Sequence, residues 1–135
     1  MNRVSITLES LPENISFARV AVTAFLSPLD PSVSEVSDIK TAVSEAVTNA
    51  VIHGGSGQVT MILSNQDKAI TIEVSDKGVG IADIDAAREP MFTTKSELER
   101  SGLGFTVMES FMDTVHVKSA PGEGTTITMT KTLGN

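Results

Sequence analysis

The chain has 135 residues and a hydrophobic content of 40%, enough to build the core of one compact domain. It has no cysteine, which excludes disulfides, thiolate metal sites and a cysteine nucleophile. The formal net charge is -7, and no cluster of lysine or arginine is long enough to follow a phosphate backbone. We therefore expect one domain over residues 1–135 that does not bind nucleic acid directly.

The amino-terminal half of the sequence predicts a strand followed by two helices. Apolar and polar residues alternate over residues 4–8, as in a half-buried strand. Ser10 with Glu13, and Ser32 with Glu35, have the spacing of capping boxes that begin helices. We expect these helices to end near residues 26 and 53. The second helix has an apolar stripe at intervals of three and four residues: Val36, Ile39, Val43, Val47 and Ala50.

The carboxyl-terminal half predicts four strands and two further helices, one of them short. Two runs rich in valine, isoleucine and threonine flank residues 64–68, the pattern of a hairpin, and Asp76 follows the second run. The segment 77–101 has poor periodicity, which favours a binding loop or lid, with a short helix near residues 84–88. A helix over residues 105–112 and strands over residues 114–119 and 125–130 complete the chain.

This order of elements indicates an α+β fold, a two-layer sandwich with helices on one face of a mainly antiparallel mixed sheet. No run approaches the roughly 18 consecutive apolar residues of a membrane span. The amino terminus also lacks the basic and apolar pattern of a signal peptide. We expect a cytoplasmic protein that does not bind membranes.

Three short motifs could carry chemistry. Glu45 and Asn49 are four residues apart on the second helix, and this spacing suits a cleft that holds Mg²⁺ and a reacting hydroxyl. Asp76 precedes a glycine-containing turn and could accept a hydrogen bond from the amino group of adenine. Gly102 and Gly104 open the predicted helix at residue 105, where free N–H groups would favour phosphate. Taken alone, Glu45 and Asn49 are better explained by a solvated helix face. A simple turn explains the Asp76 motif about as well, and the glycine pair by itself is a weak signal.

Taken together, the order and spacing of these motifs resemble the GHKL ATPase family. Residues 44–54 (SEAVTNAVIHG) resemble its N box, residues 76–80 (DKGVG) its G1 box and residues 102–105 (GLGF) its G2 box. Residues 13–19 (ENISFAR), 91–95 (MFTTK) and 97–105 (ELERSGLGF) are similar to the corresponding stretches of the family of sporulation anti-sigma F kinases. One departure is the connection at residues 54–57, which is shorter than in that family.

The resemblance implies an ATP-dependent serine kinase with Mg²⁺ as cofactor. Glu45 would be the general base, Arg100 would stabilise the transferring phosphoryl group, and Asn49 would bind Mg²⁺ at the ATP phosphates. Asp76 would bind adenine. The remaining nucleotide contacts implied by the family are Gly78, Gly80, Thr93, Thr94, Lys95, Ser101, Gly102, Gly104, Phe105 and Thr125.

The resemblance also implies the partners. A homodimer would capture a sporulation sigma factor of the sigma F type and would phosphorylate a small anti-anti-sigma protein that releases it. Arg19 matches a family residue that contacts both partners, although a surface salt bridge within a helix would explain this arginine without any partner.

Three other functions remain open. A stress-response anti-sigma kinase of the same family would bind a different sigma factor, and a nucleotide-dependent anti-sigma module would sequester its partner without transferring phosphate. A sensor histidine kinase shares the three boxes but needs an acceptor histidine on a separate helical hairpin. The two histidines, His53 and His116, lie in the N box and in a predicted strand, so neither suits that role.

Overall fold

A computed structural model of the chain describes residues 1–53, 57–77, 96–120 and 122–134. The side chains of residues 96–103 and of residue 120 lie outside that description. The described elements, in chain order, are β1 (Asn2–Glu9), α1 (Glu13–Leu26), a 3-10 turn (Ser27–Leu29), α2 (Val33–His53), β2 (Gln58–Gln66), β3 (Ala69–Asp76), α3 (Ser96–Phe111), β4 (Thr114–Ala120) and β5 (Gly124–Thr132).

The five described strands form one sheet in the order β1-β2-β3-β5-β4. All four pairings between them are antiparallel, so the α+β fold and the predominance of antiparallel pairs are confirmed. Strand β5 lies between β3 and β4, although β4 comes first along the chain. This crossover brings the end of β3 beside the start of β5.

The helices pack on one face of the sheet. Helix α2 packs against α1, against α3 and against strands β2 and β3. Four members of its predicted apolar stripe, Ile39, Val43, Val47 and Ala50, are buried in the core, whereas Val36 at the start of the stripe is only half-buried. Burying an isoleucine or valine side chain stabilises the fold by roughly 1.5–3 kcal/mol relative to leaving it exposed.

The two predicted capping boxes have different outcomes. At α2 the box is confirmed, since the Glu35 backbone N–H donates to Ser32 Oγ at 3.0 Å and the Ser32 N–H donates to Glu35 Oε1 at 2.9 Å. At α1 the prediction was wrong. The residue preceding α1 is Pro12, and no side chain caps this end of the helix. The backbone N–H of Ser10 instead donates to the Gly57 carbonyl at 2.9 Å, which holds Ser10 in the loop before the helix.

The hairpin and the two final strands are confirmed with small shifts of their ends. The start of α3 is a correction. The helix begins at Ser96, nine residues before the predicted start, so Gly102 and Gly104 lie inside it and do not form its amino terminus. Glycine is the poorest helix former after proline, and this made the glycine pair look like a boundary.

Candidate functional site

Helix α2 positions Glu45 and Asn49 close together on the side that faces α3. Asn49 is buried, and it is one of two buried polar residues in the described part of the chain; Glu45 is half-buried. Ala42 and Ala46 of the same helix are fully buried. Their small side chains therefore allow neighbouring elements to pack closely against α2.

The carboxylate of Glu45 lies directly against helix α3. A Cβ atom built on Gly104 would lie 3.2 Å from Glu45 Oε2, which is tighter than an ordinary van der Waals contact. Only glycine leaves this space without displacing the carboxylate. The structure thus brings the N box and the G2 box together, and it gives Gly104 a role in accommodating Glu45.

A row of paired residues crosses the sheet beside this helix pair. Within the row Leu8 pairs with Val59, Val59 with Asp76, Asp76 with Thr125, and Thr125 with Ser119. The first two residues are buried apolar side chains, whereas the last three are polar and Thr125 is buried. Directly opposed residues share one face of a sheet, so three polar side chains lie side by side on three adjacent strands. Such a group on the helix-covered face suits a polar ligand.

Hydroxyl groups connect β4 with β5 at the end of this row. Ser119 Oγ donates to the Gly124 carbonyl at 2.9 Å and lies 2.9 Å from Thr125 Oγ1. The structure therefore places Thr125 beside Asp76, with Ser119 as a third member of the group. Nothing in the sequence alone marked Ser119, because the register that opposes it to Thr125 is a property of the folded sheet.

Gly124 allows this end of the sheet to close. Its φ is +81°, and a Cβ atom built on it would lie 2.2 Å from the Asp76 carbonyl oxygen. No other residue fits so close to the backbone of Asp76 without moving it. The sequence indicated only a connecting turn here, so this role of Gly124 was missed.

The remaining predicted nucleotide contacts lie in helix α3, in the core or outside the described residues. Arg100, Ser101 and Gly102 belong to α3, but their side chains are outside the description. Phe105 is fully buried among the apolar residues of the core, so its side chain packs the fold. The predicted contacts that lie outside the described residues are Gly78, Gly80, Thr93, Thr94 and Lys95.

Arg19 belongs to a separate surface, on the exposed side of α1. It borders a groove of about 550 Å³ that also includes Val20 of α1 and Lys40 of α2. Phe17 and Val20 are 55% and 68% exposed, which is unusual for large apolar side chains. This groove combines two cations with apolar surface. The sequence marked Arg19 but neither Lys40 nor the two apolar neighbours.

No described helix has the length and apolar character that crossing a membrane requires.

Comparison with known proteins places the chain in a family. Residues 8–131 match the family model described as histidine kinase-like ATPase domain. The chain is 52% identical to the anti-sigma F factor of Bacillus licheniformis, with 98% of this chain and 93% of the relative aligned. It is 49% identical to that of Bacillus subtilis over the same shares, and 52% identical to that of Clostridium acetobutylicum over 96% and 93%. The chain therefore belongs to the histidine kinase-like ATPase domain family and, within it, to the anti-sigma F factor family.

Solved structures with low sequence identity share the fold. The RsbU and RsbW domains of a Mycobacterium tuberculosis protein superpose with a TM-score of 0.72 at 21% identity, covering 98% of this chain and 33% of that longer chain. The histidine kinase domain of a blue-light activated kinase from Erythrobacter litoralis gives a TM-score of 0.58 at 19% identity, covering 88% of this chain and 60% of that chain. Both likenesses support the α+β fold described above.

Proposed function

We propose that the protein is an anti-sigma factor that binds a sporulation sigma factor and is also a serine kinase. It would use ATP to phosphorylate the anti-anti-sigma protein that opposes it. The observation that carries this proposal is the placement of the Glu45 carboxylate between helices α2 and α3, on the same helix as the buried amide of Asn49. The names of the relatives, all anti-sigma F factors, support the choice of partner.

The residues present fit a nucleotide with Mg²⁺. Asn49 offers an amide oxygen, a ligand type that Mg²⁺ accepts, and Mg²⁺ needs only one or two protein ligands when substrate phosphates and water supply the others. When bound, the ion would neutralise charge on the ATP phosphates. Asp76 and Thr125, paired at the end of β3, would bind adenine at the polar end of the row.

Glu45 would act on the protein substrate. Its carboxylate would accept the proton of a serine hydroxyl and orient the oxygen for in-line attack on the γ-phosphoryl group. Packing against Gly104 restricts where this carboxylate can lie. Arg100 would stabilise charge on the transferring group. The glycines of the G1 box and the segment that includes Thr93, Thr94, Lys95 and Ser101 would complete the pocket around ATP.

The groove at Arg19 would bind the protein partners. Arg19 and Lys40 supply positive charge, and the exposed Phe17 and Val20 supply apolar contact area. Aromatic and arginine side chains are enriched among the residues that dominate interface energies. We place the sigma factor and the antagonist on this surface, with the chain acting as a homodimer in the cytoplasm.

A stress-response anti-sigma kinase is the nearest second function. The anti-sigma F factor relatives align over nearly their whole length, and this favours the sporulation partner. A module that sequesters its partner without catalysis would have no use for the carboxylate at Glu45. Transfer of phosphate from ATP to a serine of the antagonist separates a kinase from such a module.

Titration with ATP tests the nucleotide site. Asn49→Ala should abolish magnesium-dependent ATP binding in calorimetry, because it removes the proposed protein ligand of the ion. Asn65→Ala is the matched control, since Asn65 lies at the hairpin end of β2, opposite Ile70 and away from Asp76. Its affinity for ATP should equal that of the wild type. Equal affinities for the wild type and Asn49→Ala would show that the magnesium site is assigned wrongly.

A further inference from the structure

The hydroxyl of Thr48 donates a hydrogen bond to the backbone of its own helix, α2. Thr48 Oγ1 lies 2.6 Å from the carbonyl oxygen of Ser44, four residues earlier. A carbonyl oxygen can only accept a hydrogen bond, so Thr48 is the donor. This oxygen has two lone pairs, and it can therefore accept the hydroxyl in addition to the backbone N–H that a helix directs at it. The bond ties the side chain of Thr48 to the backbone across one turn of α2.

The Thr48 bond differs from two others of the same kind in the described helices. Thr41 donates to the Ser37 carbonyl at 2.9 Å, Ser110 donates to the Thr106 carbonyl at 2.8 Å, and both of these bonds lie at exposed positions. The Thr48 bond is shorter and partly buried. A hydrogen bond is stronger where water and its high dielectric constant are partly excluded. We therefore expect the Thr48 bond to persist more than the two exposed ones.

The bonded turn is also the turn that carries the proposed chemistry. Ser44 precedes Glu45 and Thr48 precedes Asn49, so the bond spans the same turn of helix that separates the carboxylate from the amide. A hydroxyl that donates to the carbonyl four residues earlier often bends a helix. Asn49 is buried in the fold, whereas Glu45 is half-buried with its carboxylate against Gly104. A change in this turn therefore moves Glu45 more easily than Asn49.

We propose that Thr48 is a positioning residue for Glu45, whose hydroxyl holds this turn of α2 in the shape that directs the carboxylate at the reacting serine. This inference rests on the proposed kinase function, in which Glu45 is the general base. Gly104 of α3 leaves room for the carboxylate, and Thr48 sets the backbone from which the carboxylate projects. Thr48 acts through Glu45 and has no chemical step of its own.

Removal of the Thr48 hydroxyl should slow phosphate transfer without weakening ATP binding. Thr48→Val nearly keeps the shape of the side chain but loses the hydrogen bond, so the Glu45 carboxylate shifts by a fraction of an ångström. Since a misplacement of about 1 Å can cost about a hundredfold in rate, we expect kcat to fall about three- to thirtyfold. KM for ATP should stay the same, because Asn49 remains buried in the fold. Stability should not fall, since a bond of this type slightly destabilises a helix.

The test measures kcat and KM for phosphate transfer to the anti-anti-sigma protein, with ATP as the varied substrate. Thr48→Val and Thr48→Ala lack the hydroxyl, and Thr48→Ser keeps it. Thr41→Val is the matched control, because it removes the same kind of bond from the same helix, at an exposed position nearer its amino terminus. Circular dichroism checks that each variant is folded, and calorimetry measures its affinity for ATP.

We expect both variants without the hydroxyl to lose kcat, Thr48→Ser to keep most of it, and Thr41→Val to match the wild type. Equal kcat in Thr48→Val and Thr41→Val would overturn the inference and leave the kinase standing. A rise in KM for ATP at unchanged kcat would also overturn it, because the hydroxyl would then act on nucleotide binding. So would a loss of rate that only follows a loss of folded protein. A wild type that binds ATP but transfers no phosphate would overturn the proposed kinase and this inference with it.

Discussion

Glu45 of α2 and Gly104 of α3 lie in contact, with the carboxylate oxygen Oε2 only 3.2 Å from the point that a Cβ atom on Gly104 would occupy. This contact joins two motifs that are 59 residues apart in the sequence. It also explains why glycine lies inside a helix, where it costs about 1 kcal/mol relative to alanine. The glycine leaves space for the carboxylate of Glu45, the proposed general base.

Gly104→Ala should therefore stabilise the helix and slow the reaction. The new methyl group displaces the Glu45 carboxylate by a few tenths of an ångström or rotates it, and misplaced catalytic groups lose rate steeply. We expect serine phosphorylation to fall at least about tenfold, with no loss of thermal stability. The control is Ser110→Ala in the same helix, where Ser110 is exposed and its hydroxyl donates to the Thr106 carbonyl. Equal phosphorylation rates for the two variants would contradict this role of Gly104.

Gly122 and Gly124 provide a matched pair for the end of the sheet. Both have positive φ, +78° and +81°, but a Cβ on Gly122 meets nothing within 4 Å, whereas one on Gly124 meets the Asp76 backbone. Gly122→Ala should cost only the conformational strain, about 1–2 kcal/mol. Gly124→Ala should cost more than about 3 kcal/mol and weaken ATP binding, since Asp76 must move. Urea unfolding measures both costs, and equal values would show that the close approach to Asp76 is unimportant.

The sequence predicts local features of the structure better than long-range ones. The capping box at Ser32, the apolar stripe of α2 and the end of β3 at Asp76 follow from residues close together in the chain, and all three are found. The neighbourhood of Ser119 and Thr125 depends on how β4 pairs with β5, and periodicity carries no information on register between strands. Thr125 was predicted as a nucleotide contact only from the family resemblance, because its position in the sequence suggests no chemistry.

The prediction of where α3 begins was wrong for a related reason. Helix propensity disfavours the two glycines, and a local pattern cannot show that α2 packs against one of them. The contact with Glu45 is tertiary, and tertiary packing overrides propensity here. The prediction of a capping box at Ser10 was wrong because the backbone N–H of Ser10 donates to the carbonyl of Gly57, which is distant in sequence.

Glu35 links the start of α2 to the carboxyl-terminal segment, and it makes stability depend on pH. Its pKa is lowered from the ordinary value of 4.5, first by the hydrogen bond from the Ser32 backbone N–H and then by that from Gly134. Gly134 N donates to Glu35 Oε2 at 2.7 Å. A lowered pKa in the folded state means that the ionised form is favoured by folding. The stabilisation is complete above pH 4.5 and is lost as the pH falls through the folded-state value.

Glu35→Gln tests this dependence. At pH 7 the variant should have a lower free energy of unfolding than the wild type, and the difference should shrink as the pH falls below 4.5. Urea unfolding at several pH values gives the comparison. A difference that stays constant from neutral to acidic pH would mean that the charge on Glu35 contributes nothing.

Arg19 should control partner binding without affecting the nucleotide. Arg19→Ala removes the exposed cation of the groove on α1, and we expect affinity for the sigma factor to fall about tenfold. ATP affinity should not change, because Arg19 lies on a surface distinct from the row at Asp76. Arg3→Ala on strand β1 is the control, since Arg3 is also exposed. Equal sigma factor affinities for the two variants, measured by surface plasmon resonance, would place the partner elsewhere.

Phosphate transfer to a serine is the most direct test of the proposed kinase. The purified protein is incubated with Mg²⁺, γ-labelled ATP and the anti-anti-sigma protein of the same organism, with Glu45→Gln measured in parallel. We predict label on a serine of the antagonist for the wild type and almost none for Glu45→Gln, with ATP affinity retained in both. Equal labelling in the variant, or ATP binding without any transfer by the wild type, would contradict the role of Glu45 as the general base.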